Sequence, residues 1–246
     1  MRTFYSQTLV AIAKTNMKLT ITFILILLTI ACVGQTVDEK ISEEACNCFH
    51  LNYSKSDKSQ FMDEFMDKCL KASFFKYKKE ILQAFNIKDT TDYSLGYDLG
   101  KKFAPKIFAS MIMTCDKFYF YFDSLRWSGR CTIDRSKVEQ DLLKAKKDVS
   151  LDKRNPTNYF LRGMAYFQLD EYKKAKKDFK KSTELNNTFG PAYLYLGWTK
   201  EIKGDFVGAK LDYEKSLSLI GNSEIMLLIA IAERKERERN VRQQKL

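Results

Sequence analysis

Residues 159–185 and 193–219 match one another at a fixed offset of 34, and this constrains the fold more than any other feature of the chain. Tyr159 aligns with Tyr193, Gly163 with Gly197, Tyr172 with Phe206, Ala175 with Ala209, Phe179 with Tyr213, Ser182 with Ser216 and Leu185 with Leu219. Self-similarity at such a period marks a stacked unit that cannot bury its apolar face alone. The residue types say what the unit is. Gly163 and Gly197 let two helices approach closely, Ala175 and Ala209 give the second helix a small surface, and the aromatics fill the space between hairpins. Asp170-Glu171 and Gly204-Asp205 supply short turns. Two consecutive helical hairpins are predicted.

On those positions, the segment 156–221 resembles two tetratricopeptide repeats, roughly a quarter of the chain. It departs from the family pattern at Arg162, where leucine is usual, at Lys200, an aromatic position, and at Asn187, where a proline closes the unit. The resemblance implies that the first helix of each hairpin lines a concave groove and the second faces outward. The groove would then display Phe160, Met164, Phe167 and Gln168 from one hairpin and Leu194, Trp198, Glu201 and Ile202 from the next. That surface is mostly apolar and lacks the Lys and Asn set with which some repeats of the family clamp a C-terminal carboxylate. It implies a protein or peptide partner with an apolar segment, anchored at Trp198 and Phe160. The alternative is that the chain's own N-terminal helices or C-terminal helix fold across these residues and make them interior, as helical aromatic stripes usually are.

Two hairpins bury too little surface to stand alone, so the flanks are expected to help. Residues 131–155 read as a degenerate repeat helix and linker: Ser136 and Glu139 form a capping box before Leu142, Leu143, Ala145, Val149 and Leu151. Residues 222–246 read as a C-terminal capping helix, apolar from Ile225 to Ala232 and then strongly charged, with the charged half expected in water.

The net charge of +11 is concentrated in this half: 24 basic against 17 acidic residues from 131 to 246, but 15 against 14 from 35 to 130. Lys173, Lys174, Lys176, Lys177, Lys180 and Lys181 crowd one helix on the expected convex side. They read as a solvated face or as a docking site for an acidic protein or anionic membrane surface.

Residues 1–34 read as a signal peptide, with Met17 an alternative start: Lys18 precedes an apolar run from Leu19 to Val33, too short for a membrane span. Cleavage after Gly34 would leave Gln35 at the terminus. Lipidation at Cys32 is disfavoured, because Thr29 stands where a lipobox carries leucine. The chain is therefore expected to be exported, periplasmic or secreted, which disfavours nucleic acid as a partner.

Residues 35–130 read as a cysteine-containing helical domain. The capping-box pattern Thr36 to Glu39 should open a helix carrying Cys46, Cys48 and His50, a second helical stretch from Ser59 to Phe85 should turn Cys69 inward, and a third from Tyr93 to Phe122, kinked or restarted at Pro105, should carry Cys115. In an oxidising compartment these thiols pair, so Cys46 and Cys48 are expected to bond Cys69 and Cys115 in an order the spacing leaves open, with Cys131 unpaired. The competing reading is a metal- or thiol-dependent site at Cys46, Cys48, His50 and Cys69, with the repeats as a docking arm, but the spacing is not that of a known zinc motif. No catalytic motif or Gly-rich phosphate loop is present, so neither an enzyme nor a cofactor is expected. The chain as a whole reads as an all-α, envelope-located scaffold or adaptor: a disulfide-stapled helical region followed by a short repeat array and a capping helix.

Overall fold

The computed structural model describes residues 36–52, 65–84, 93–128 and 133–245. The chain divides into Met1–Thr36 and a second unit, Val37–Leu246. The apolar run 19–33, Cys32 and Cys131 lie outside the described residues. All regular elements among the described residues are helical, and none of these helices is long and apolar enough to cross a membrane.

Helix α1 (Val37–Asn52) begins directly after Thr36, with Asp38 and Glu39 in its first turn, where carboxylates complement the helix dipole. Its residues Ile41, Ala45 and Phe49, four apart and fully buried, form the stripe that enters the core. A π-helical turn, Phe65–Leu70, leads into α2 (Lys71–Lys76) and, after a turn at Tyr77, α3 (Lys78–Ala84). Helix α4 (Tyr93–Thr114) runs unbroken through Pro105, and the interruption falls instead at Cys115, before α5 (Asp116–Ser128). The restart expected at Pro105 thus falls at Cys115 instead. One lost backbone bond is outweighed where Phe103 just before the proline and Ile107 and Met111 after it are all buried.

The first core is largely aromatic. Phe49 packs edge-on against Phe65 and Phe118, each at 5.3 Å between ring centroids, and Phe118 meets Phe122 at 4.8 Å. Two disulfides staple it. Cys46 bonds Cys115 and Cys48 bonds Cys69, with Cα separations of 5.8 and 5.5 Å. The four cysteines singled out in the sequence are the four that pair, and the order the spacing left open is resolved. α1 is tied through one bond to the α4–α5 junction and through the other to the π-helical turn.

The array comprises α6 (Arg135–Leu151), α7 (Pro156–Gln168), α8 (Tyr172–Leu185), α9 (Gly190–Ile202), α10 (Phe206–Ile220) and α11 (Ile225–Gln243). Helix α6 is capped by Asp134, whose carboxylate accepts from the backbone N–H of Ser136 and Lys137. The expected Ser136 cap is therefore displaced by two residues, because a carboxylate one step before the helix reaches the same orphan donors.

The two hairpins are equivalent in detail. A Cβ on Gly163 would fall 2.7 Å from Phe179, and one on Gly197 would fall 2.8 Å from Tyr213. Ser182 donates to the Pro156 carbonyl at 2.9 Å and Ser216 to the Gly190 carbonyl at 3.0 Å. Left-handed backbone occurs at Asp170 (φ 63°) and at Gly204 (φ 78°), one in each hairpin turn. The departures at Arg162 and Lys200 are compensated within the chain. Buried Asp178 takes a bidentate pair of bonds from Arg162, both 2.7 Å, and buried Asp212 is met by Lys200 at 2.7 Å.

Helix α11 belongs to both halves of the unit. Ile225 and Ala232 pack with Ala209 and Tyr213 of α10, whereas Ala230 and Ile231 enter the aromatic core. Its charged half is not simply solvated, contrary to expectation. Arg234 is 4% exposed, donates to the Ile112 carbonyl at 2.7 Å, lies 4.1 Å from the Tyr119 ring centroid, and pairs with Asp116 and Glu238. Arg237 donates to the Met113 carbonyl at 2.6 Å. These carbonyls end α4 without intrahelical partners, so the two guanidinium groups cap it from outside.

The disulfides span 69 and 21 residues. Loop-closure entropy then predicts that replacing Cys46 and Cys115 with alanine lowers unfolding free energy by about 4 kcal/mol, about 1 kcal/mol more than replacing Cys48 and Cys69. Denaturant melts of the two double variants check the order.

Candidate peptide-binding groove

Three layers of side chains hold the array together. Val138 and Leu142 of α6 meet Ala165 of α7 and Leu169 at its C-terminal end. Phe167, Ala175, Phe179 and Leu196 join α7, α8 and α9, and Ala209, Tyr213, Ile225 and Ala232 join α10 to α11. The groove residues named from the sequence sit along the inner edge of these layers. Phe160, Met164, Gln168, Leu194, Trp198 and Ile202 are half-buried, and Phe167 and Glu201 are buried. Phe160 packs against Phe179, Phe189 and Tyr195 at 5.9, 5.2 and 5.8 Å, which makes much of its ring a spacer between hairpins.

The far end of the groove is occupied by the chain itself. Trp127, at the end of α5, packs edge-on against Trp198 at 5.9 Å, and the Arg126 guanidinium lies 5.5 Å from the Trp198 ring centroid. Arg126 Nη2 donates to Glu201 Oε1 at 2.8 Å, Lys235 Nζ of α11 reaches the same oxygen at 3.0 Å, and the Tyr213 hydroxyl donates to Oε2 at 2.7 Å. Lys235 also bonds Asp123 at 3.0 Å. One carboxylate on α9 therefore joins α5, α10 and α11. The side chains of Arg126 and Glu201 are 10% and 2% exposed, so this is a buried ion pair.

Burial alone would raise the Glu201 pKa, but Arg126, Lys235 and the Tyr213 hydroxyl outweigh it and hold the group below the ordinary carboxylate value. Burial and the same carboxylate push the Tyr213 phenol well above its usual range. Tyr119 is raised to about 12 by burial and by Asp123 and Glu238.

The six α8 lysines lie on the outer face. Lys173, Lys174, Lys177, Lys180 and Lys181 are exposed and Lys176 is half-buried. Lys174 pairs with Glu171, while Lys180 and Lys181 lie 3.9 and 3.7 Å from Glu184. The set Cys46, Cys48, His50 and Cys69 is not assembled as a ligand cluster, because its sulfurs are divided between two disulfides. His50 is exposed in the last turn of α1 and lies near the Cys46–Cys115 bond. Arg126, Asp123, Arg234 and Lys235 were missed in the sequence. Arg234 alone leaves a signal, since it continues at helical spacing the stripe of Leu227 and Ile231.

The family model of the tetratricopeptide repeat matches residues 156–189, which span α7, α8 and the turn before α9. Residues 156–189 are therefore a tetratricopeptide repeat, set in a chain whose described residues are all-α. Solved structures similar to it include the Sgt2 tetratricopeptide domain from Aspergillus fumigatus, at 26% identity and a TM-score of 0.41, over 48% of this chain and 80% of that one. The second tetratricopeptide domain of human RPAP3, solved with an HSP70 peptide, is similar at 22% identity and a TM-score of 0.38, over 52% and 98% of the two chains. MamA is similar at 18% identity and a TM-score of 0.34, over 63% and 99%. No curated protein matches the sequence.

Both tryptophans of the chain lie in the closed end of the groove, so intrinsic fluorescence reports on it directly. Arg126→Ala leaves Glu201 to Lys235 and Tyr213 and should cost about 3 kcal/mol, with increased acrylamide quenching. Because the folded pKa of Glu201 is depressed, its contribution is complete above the unfolded value of about 4.3 and is lost as pH falls through the folded pKa. Thermal melts from neutral to acidic pH should show that loss, and Glu201→Gln should be less stable at neutral pH with a flatter acid limb.

Proposed function

We propose that this protein is an exported scaffold or adaptor that binds another protein through its repeats. The observation that carries the reading is a tetratricopeptide repeat at 156–189 whose inner wall keeps Phe160, Met164 and neighbouring Leu194 partly exposed. With the Trp198 end taken by α5 and α11, the free stretch is short. It suits an apolar side chain or one helical turn of a partner rather than a long peptide. The apolar run 19–33 after Lys18 and the two disulfides support export to an oxidising compartment. Cleavage after Gly34 fits that run better than lipidation at Cys32.

A photo-crosslinking residue placed at Met164 in the full chain, expressed in native envelopes, should give a discrete adduct that the same probe at exposed Leu51 does not. Equal adducts at both positions, or none at Met164, would sink the groove reading. N-terminal sequencing of the mature protein should begin at Gln35, and an unprocessed chain retained in the cytosol would refute export.

A further inference from the structure

The outer face of the array carries a cleft of about 650 Å³ between α6 and α8, floored by α7. Lys146 and Lys153 stand on the α6 side and Lys177, Lys180 and Lys181 on the α8 side. The floor is Val149, the Tyr159 ring and the Arg162–Asp178 pair. Asp178 is fully engaged by Arg162, so its charge is neutralised internally and does not offset the lysines. Glu184 stands at the edge, where it meets Lys180 and Lys181 only at 3.9 and 3.7 Å. Lys146, Lys153 and Lys177 are exposed, and no carboxylate of the described residues pairs with them.

Lysines that merely solvate a helix splay outward, away from one another. Here they come from two helices and converge on a single concavity, where like charges repel until an anion is present. The cleft is recessed rather than flat, and its floor offers a tyrosine ring and a valine beside the charges. A recess of this size takes side chains of an extended chain, whereas a lipid surface is better met by a protruding face. Residues 1–34 contain three basic and no acidic side chains, and residues 239–246 likewise three basic and none acidic, so neither of these segments supplies the missing charge.

We propose that this cleft is a docking site for an acidic peptide segment of a partner protein, its carboxylates on the lysine walls and one apolar side chain on Tyr159. The array then has a second contact face, opposite the groove. The inference deepens the adaptor reading and can fail without it: a partner crosslinked at Met164 whose capture is indifferent to the cleft lysines leaves the adaptor standing and removes the cleft.

The test uses the full mature chain and a fluorescein-labelled octapeptide of six glutamates and two tyrosines, read by anisotropy. The unaltered protein should bind it, with affinity falling steeply between about 50 and about 300 mM salt. Lys146→Glu, Lys153→Glu and Lys177→Glu together should weaken binding at least about tenfold, since each reverses an exposed wall charge. Lys79→Glu, Lys215→Glu and Lys245→Glu together change net charge equally at exposed positions outside the cleft and should stay within about twofold. Circular dichroism melts of both variants establish that each is folded. Equal weakening in the two variants would reduce the effect to general charge and overturn the proposal. So would absence of peptide binding, or tighter binding to anionic lipid vesicles or duplex DNA than to the peptide.

Discussion

A single buried carboxylate, Glu201, organises the junction on which the arrangement of residues 37–246 depends. Its two oxygens accept from Arg126, Lys235 and Tyr213, and these donors belong to three different helices, α5, α11 and α10. Removing such a group from water costs several kcal/mol, which only well-placed donors recover. An apolar contact at the same place would tolerate sliding; a carboxylate with directed donors permits one register of α5 and α11 against the array. Since Trp127 and Trp198 pack around the same point, the polar knot and the aromatic contact fix one another.

The same device recurs within the hairpins. Asp178 and Asp212 occupy corresponding positions and are both buried, and each is met by a basic side chain from the first helix of its own hairpin, Arg162 or Lys200. Two of the positions at which this chain departs from the family pattern, Arg162 and Lys200, are therefore coupled to the aspartates, and either half of a pair alone would leave a charge stranded. Burial pushes the Asp212 carboxyl up and Lys200 opposes it, as expected of a charge held inside by one partner.

Much of this was legible in the sequence, and the reasons differ by element. The hairpins could be read because close helix approach demands glycine at 163 and 197 and a large ring at 179 and 213, and few residues substitute for either. The cysteines could be chosen but not paired, since helical spacing does not say which helix faces adjoin. Pro105 misled as to where the helix restarts, because local propensity was weighed without the burial of Ile107 and Met111 that overrides it. The charged half of α11 misled for a different reason. A run of alternating charge looks the same whether water or partners solvate it, and the partners lie in α4, α5 and α9, far away in the chain. Nothing local marks Arg126 as the residue that closes the groove, because its role exists only once α5 and α9 are adjacent.

The placement of α11 has a consequence for how the chain reaches its fold. Ile231 and Arg234 complete a core whose other members come from the first half of the sequence, across separations of 118 to 124 residues for the contacts of Arg234 and Arg237. The aromatic core thus stays open until α11 has been made, and contacts this distant slow folding. Until that helix docks, the rings gathered around Phe49 and Phe118 lack one wall, so the first half of the fold cannot become rigid before the second half has formed.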